Sequence, residues 1–124
     1  MSDTSSTQAF LTIDMKQNRL RIYKSVLHQM GDPKYIQLLV NPEDMVVALR
    51  CVDVTSKGDQ THKIKMVANN CVEISSMVFI RKLVEIAGGL DPSYSYRLSG
   101  SVVPSKRLAV FSLKSITRIE KQER

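Results

Sequence analysis

The sequence predicts a β-rich α+β fold. Two tandem strand-strand-helix-strand-strand units are expected to pack as one pseudo-twofold, barrel-like domain. Three observations carry this expectation: an internal repeat, short runs in which apolar residues alternate with polar ones, and two helix-like stretches that each run into glycine. The repeat shows in the order of three matches. Ile13-Asp14-Met15, then Asn18, Leu20 and Ile22, is answered by Ile64-Lys65-Met66, then Asn69-Asn70, Val72 and Ile74. Asp32-Pro33-Lys34-Tyr35 is answered by Asp91-Pro92-Ser93-Tyr94, and Ala48-Leu49 by Ala109-Val110.

The elements follow from local chemistry. Ile13 and Met15 alternate with Thr12 and Asp14, as in a half-buried strand. Lys16-Gln17-Asn18 forms a turn, because Asn tolerates the left-handed region. Leu20 and Ile22 alternate with Arg19 and Arg21 in a second strand. Ser25 is placed to cap a short helix whose Val26, Leu27 and Met30 share a face, and Gly31 followed by Asp32-Pro33 stops it. Residues 35–40 and 45–52 are strands around the turn Asn41-Pro42-Glu43-Asp44, which has Pro at its second position. In the second half, residues 62–67 and 71–75 are strands. Ser76 caps a longer helix striped with Phe79, Ile80, Leu83, Val84 and Ala87, and Gly88-Gly89 ends it. Residues 94–100 and 107–113 are the last strands, joined around Pro104. The expected organisation is a disordered N-terminus at 1–9, a first unit at 10–53, a polar linker at 55–60, a second unit at 61–113 and a charged tail at 114–124. One such unit alone buries too little apolar surface to stand, so the two are expected to share one core.

Composition bounds the function. The chain has 124 residues, 43% of them hydrophobic and 24% charged, which excludes wholesale disorder. No apolar run approaches the ~18 residues of a spanning helix. Residues 1–8 lack the basic start and apolar core of a secretory signal, so a cytoplasmic setting is expected. Two cysteines, Cys51 and Cys71, are too few for a disulfide framework and read as reduced thiols, with Cys51 buried in a strand and Cys71 exposed at a turn. Neither His28 nor His62 has a second ligand at metal spacing, and Gly88-Gly89 follows a helix where a phosphate cradle would precede one. No catalytic residue, metal or cofactor is therefore expected.

The net charge of +6 permits a polyanion partner. In the first hairpin Arg19 and Arg21 fall on the polar side of a strand about 7 Å apart, close to the spacing of successive phosphates. Lys16 lies at the turn and Lys24 just past the strand, and in the second hairpin Lys63 and Lys65 take the equivalent side. These six residues are the candidate nucleic-acid contacts, because a two-stranded ribbon fits the major groove. Residues 92–119 hold Arg97, Lys106, Arg107, Lys114 and Arg118 with no acid, and Arg97, Lys106 and Arg107 form a second candidate patch. Tyr94 and Tyr96 read as core or rim.

The run Arg19-Leu20-Arg21-Ile22-Tyr23-Lys24, the helix ending at Gly31 and the hairpin of residues 35–51 resemble the AbrB/MraZ type of swapped-hairpin bacterial regulator. The MraZ branch carries two such units in one chain. The resemblance implies a non-catalytic, double-stranded-DNA-binding transcriptional regulator acting as a homodimer. It equally implies the alternative of an antitoxin-like or adaptor module that binds protein and no nucleic acid. The chain departs from the family pattern in lacking Pro near Tyr23 or Lys24, in lacking Asp-x-x-x-Arg after Asp32 and Asp91, and in carrying Glu73 where the first unit has Arg21.

Overall fold

The computed structural model describes residues 7–52, 61–64, 66–67 and 70–119. The expected linker at 55–60, Lys65 and residues 120–124 lie outside the described residues. Alternation produces the strands: β1 (Thr7–Asp14), β2 (Arg19–Tyr23), β3 (Tyr35–Asn41), β4 (Val46–Val52), β5 (Thr61–Lys63), β6 (Met66–Val67), β7 (Cys71–Ser75), β8 (Ser95–Val103) and β9 (Leu108–Ile119). They form one sheet in the order β5-β3-β4-β9-β8-β1-β2-β7-β6, with every pairing antiparallel. The strands at the two ends of that order, β5 and β6, are separated in the chain only by Ile64 and Lys65. The sheet is thereby nearly closed into a barrel, which leaves little free edge.

Inward positions alternate with outward ones on every long strand. Leu11, Ile13, Leu20, Ile22, Val72, Ile74, Ile36, Leu38, Val47, Leu49, Leu98 and Phe111 fill one continuous interior. Gly100 of β8 lies in register between Ala9 of β1 and Phe111 of β9, so close to β9 that no side chain fits.

Two helices close the ends. Helix α1 (Lys24–Gln29) carries the chain from β2 to β3, across the strands β7 and β5–β6 that lie between them. Helix α2 (Met77–Ala87) carries it from β7 to β8 across β2 and β1. Ser76 caps α2 as its sequence predicts, its Oγ accepting from the Phe79 N–H at 3.2 Å, and Gly88 ends it at φ 86°. The expected cap at Ser25 does not form. Ser25 lies inside α1, which starts directly from extended Tyr23 with no side-chain cap. The first helical N–H, that of Lys24, instead donates to the Asn70 carbonyl at 2.9 Å, so a neighbouring segment satisfies it.

Three further boundaries differ. The strand expected at 62–67 is two short strands, because its first part pairs with β3 and its second with β7. β1 begins at Thr7, inside the stretch expected to be disordered, where Thr7 pairs with Val102. β9 runs on to Ile119, into the expected tail, because Ser95, Tyr96 and Arg97 offer partners to Ile119, Arg118 and Thr117. A bulge lies between Arg97 and Ser99. There Ser115 Oγ accepts from the Ser99 N–H at 2.8 Å and donates to the Ser112 carbonyl at 2.6 Å.

Candidate nucleic-acid interface

Arg19 and Arg21 stand on the outer face of β2, as the alternation requires, but they are already engaged. Arg21 pairs in register with Glu73 of β7 and Arg19 with Asp14 of β1. Arg19 Nε donates to Asp14 Oδ2 at 3.1 Å and its Nη1 to Glu73 Oε1 at 2.9 Å. Arg21 Nε and Nη2 donate to Glu73 Oε2, each at 3.3 Å, and Nη2 also lies 3.7 Å from Asp14 Oδ2. Two cations and two carboxylates make a neutral cluster, and the Asp14 side chain within it is only 10% exposed. A phosphate arriving here would have to displace two carboxylates.

One prediction follows directly. Arg19→Ala with Arg21→Ala should leave whatever salt-dependent affinity for nucleic acid a titration finds in the wild type unchanged. It should cost about 1–3 kcal/mol of stability, because the largely buried Asp14 and its neighbour Glu73 lose their partners. Urea denaturation and a salt titration of the same protein read both effects.

The remaining cations are sorted by the strand directions. Lys16, exposed in the β1–β2 turn, lies at the barrel end that α2 covers. Lys24 opens α1, and Lys63 ends β5 beside Tyr35, so both lie at the opposite end. Lys65 lies outside the described residues. The α1 end gathers more than the sequence pattern foresaw. Lys34 is drawn in by the Ile64 N–H, which donates to its carbonyl at 2.8 Å. Arg107 follows the 3₁₀ turn Pro104–Lys106, and its Nε donates to the Met30 carbonyl at the end of α1, at 3.3 Å. Lys24, Lys34, Lys63, Lys106 and Arg107 are all exposed. Among the described residues the acid in their company is Asp32, whose Oδ2 lies 3.1 Å from His28 Nδ1. Glu43, Asp44, Glu85 and Asp91 belong to the other end, in the β3–β4 turn and on or after α2. Lys34 could have been found in the sequence only by pairing Tyr35 with Lys63, which is a contact between the two halves.

Between α1, β3 and β5 lies a cavity of about 680 Å³, bordered by Lys24, Lys34 and Lys63, with Tyr35, Leu27 and Ile64 among its walls. A second cavity, of about 460 Å³, is also bordered by Lys24, together with Tyr23, His28 and Asn70. The second candidate patch is divided: Lys106 and Arg107 lie at the α1 end, whereas Arg97 lies over the Phe10 ring at 5.2 Å, and Arg118 of the same acid-free stretch lies over Tyr94 at 4.2 Å. Tyr96 is buried, and its hydroxyl accepts from the Asp91 N–H at 2.9 Å.

Neither thiol is in a disulfide; Cys71, expected to be exposed, is buried opposite Tyr23, and Cys51, expected to be buried, is half-buried with its Sγ donating to the Met30 carbonyl at 3.3 Å. His62 faces the inside of the barrel beside Ile36, and burial pushes its pKa below the usual 6.5. A histidine held neutral in this way stabilises the fold above the unfolded-state pKa. That contribution is lost as pH falls below about 6.5 toward the lowered folded value. His62→Gln should therefore flatten part of the acid-side loss, read as a smaller drop in urea midpoint between about pH 7 and pH 5.

No helix is long and apolar enough to cross a membrane, and no group of three or more potential metal ligands occurs among the described residues. Compared with protein-family models, with curated proteins and with solved structures, the chain matches none.

Proposed function

We propose that this chain is a non-catalytic nucleic-acid-binding module that grips double-stranded DNA with the α1 end of its barrel. The observation that carries the reading is the gathering of Lys24, Lys34, Lys63, Lys106 and Arg107 at that end, while the acids Glu43, Asp44, Glu85 and Asp91 lie at the other. At that other end the same acids offset the exposed Lys16, Arg81 and Lys82, so the excess of positive charge that would draw a polyanion lies at the α1 end. The proposal keeps Lys24 and Lys63 from the sequence reading. It replaces Arg19 and Arg21, which Asp14 and Glu73 neutralise, by Lys34, Lys106 and Arg107.

The test is retention of a mixed-sequence duplex as salt is raised. Binding at about 50 mM salt that weakens steeply by about 200 mM is expected, since released counterions drive such contacts. No affinity at about 50 mM would end the proposal and leave the protein-interaction alternative in its place.

We further infer that the barrel is a duplicated unit, as in two-unit swapped-hairpin regulators. The strand order supports this. Exchanging β1 with β5–β6, β2 with β7, β3 with β8 and β4 with β9 turns the set of neighbours into itself. α1 and α2 then exchange as well. The expected homodimer remains part of the proposal. The outer row Leu39, Ala48, Val110 and Ser101, running across β3, β4, β9 and β8, carries no charge, and two copies of a chain with net charge +6 would repel least there.

A further inference from the structure

We propose that the two cavities flanking Lys24 hold successive nucleotides of an unpaired strand, with a base against Tyr35 in the larger one and the backbone passing over Lys24. This rests on the reading that the α1 end meets nucleic acid, and it names the form of nucleic acid that fits. The larger cavity, about 680 Å³, falls within the ~300–1,000 Å³ usual for sites that enclose a small molecule. Its walls divide by chemistry. Leu27 and Ile64 are apolar, Tyr35 is aromatic and half-buried, and Lys24, Lys34 and Lys63 supply positive charge.

A ligand that uses all of this has a flat apolar part and a separate anionic part. A base with its phosphate has both. A duplex keeps its bases stacked inside and offers the concave site phosphates alone, so Tyr35 and the apolar wall would go unused. Unpaired strands are held by the combination seen here, a cationic groove with aromatic side chains on which bases stack. The second cavity supports a strand over an isolated nucleotide. It shares Lys24 with the first and has another aromatic residue, Tyr23, in its wall. Asp32 also borders the larger cavity and sits against His28, so the site keeps a net positive charge from three ammonium groups against one carboxylate.

The experiment compares a mixed-sequence single strand, the duplex of the same sequence and adenosine monophosphate on the full chain, on Tyr35→Leu and on Tyr35→Phe. The wild type should bind the single strand more tightly than the duplex. Tyr35→Leu should lose between about five- and a hundredfold for the single strand and less than about twofold for the duplex. Tyr35→Phe, which keeps the ring, should behave as wild type, and a fold disturbed by the change would instead weaken both ligands together. Saturable binding of the mononucleotide that Tyr35→Leu abolishes would identify free nucleotides as a second source of the same ligand. Duplex binding with no preference for the single strand would overturn this inference and leave the duplex proposal standing. Single-strand binding with no duplex binding would do the reverse. Equal loss for both ligands in Tyr35→Leu, or loss for neither, would also overturn it.

Discussion

Gly100→Ala should destabilise the fold by about 3 kcal/mol, the upper end of the usual range for overpacked cores. A Cβ at Gly100 would lie 1.9 Å from the Val110 carbonyl oxygen, 2.7 Å from Phe111 Cα and 2.8 Å from Phe111 Cδ1. Two of those three atoms are backbone of the neighbouring strand, so no rotamer change can clear them. Moving β9 away would break the register that joins Ser99 to Ser112 and Ser101 to Val110, on the side where β8 and β9 are already bulged. Phe111 is fully buried and cannot swing outward. Thermal unfolding should show a midpoint lower by roughly 10–15 °C for a domain of this size. Gly88→Ala is the informative comparison. Nothing lies within 4 Å of its added Cβ, but its φ is +86°, so only the left-handed backbone penalty of about 1–2 kcal/mol applies. A Gly100→Ala protein within about 0.5 kcal/mol of wild type would show that the sheet relaxes at this point and that the close approach is not structural.

The sequence made the local devices of this barrel readable and hid those that depend on which strands meet. Alternation in Arg19-Leu20-Arg21-Ile22-Tyr23 became a strand with Leu20 and Ile22 buried. Asn18 did take the left-handed turn position, at φ 52°, and Ser76 did cap its helix. Each of these is decided within a few residues. The neutralisation of Arg19 and Arg21 is decided by Glu73, which is more than fifty residues away in the chain and adjacent only because β2 pairs with β7. The split of residues 62–67 has the same origin, since one segment serves two partners at the seam of the barrel. The exposure expected of Cys71 fails for a related reason. Strand alternation places Cys71 outward beside Tyr23, yet it is buried, a result no spacing rule contains. The candidate site was half legible for this reason. Lys24 and Lys63 could be named from their strands, but Lys34, Lys106 and Arg107 join them only through α1 and the turn after β8.

Replacing Lys24, Lys34 and Lys63 together by Ala should lower the slope of log K against log salt for duplex DNA by about 2.7, because three fewer phosphates are neutralised. The change should act on every duplex alike, since phosphate contacts are blind to sequence. Stability should hold within about 0.5 kcal/mol per site, as all three side chains are exposed and none carries a hydrogen bond or ion pair from its ammonium group among the described contacts. Two controls separate the site from total charge. Lys82→Ala, on the exposed side of α2 at the other end, removes one cation and should leave the slope in place. Asp32→Asn removes the acid that borders the cavity while keeping a side chain that tolerates its positive φ of 52°, and it should tighten binding. Arginines 19 and 21 enter only as ballast in this picture, and their removal should not move the slope. If the triple variant binds duplex DNA with the wild-type slope, the α1 end is not the interface. If the slope falls for Lys82→Ala as much as for a single change at Lys24, net charge and not placement governs the attraction. The combination that upholds the proposal is a large slope change at the α1 end, none at the α2 end and a gain at Asp32, because no uniform electrostatic effect produces all three.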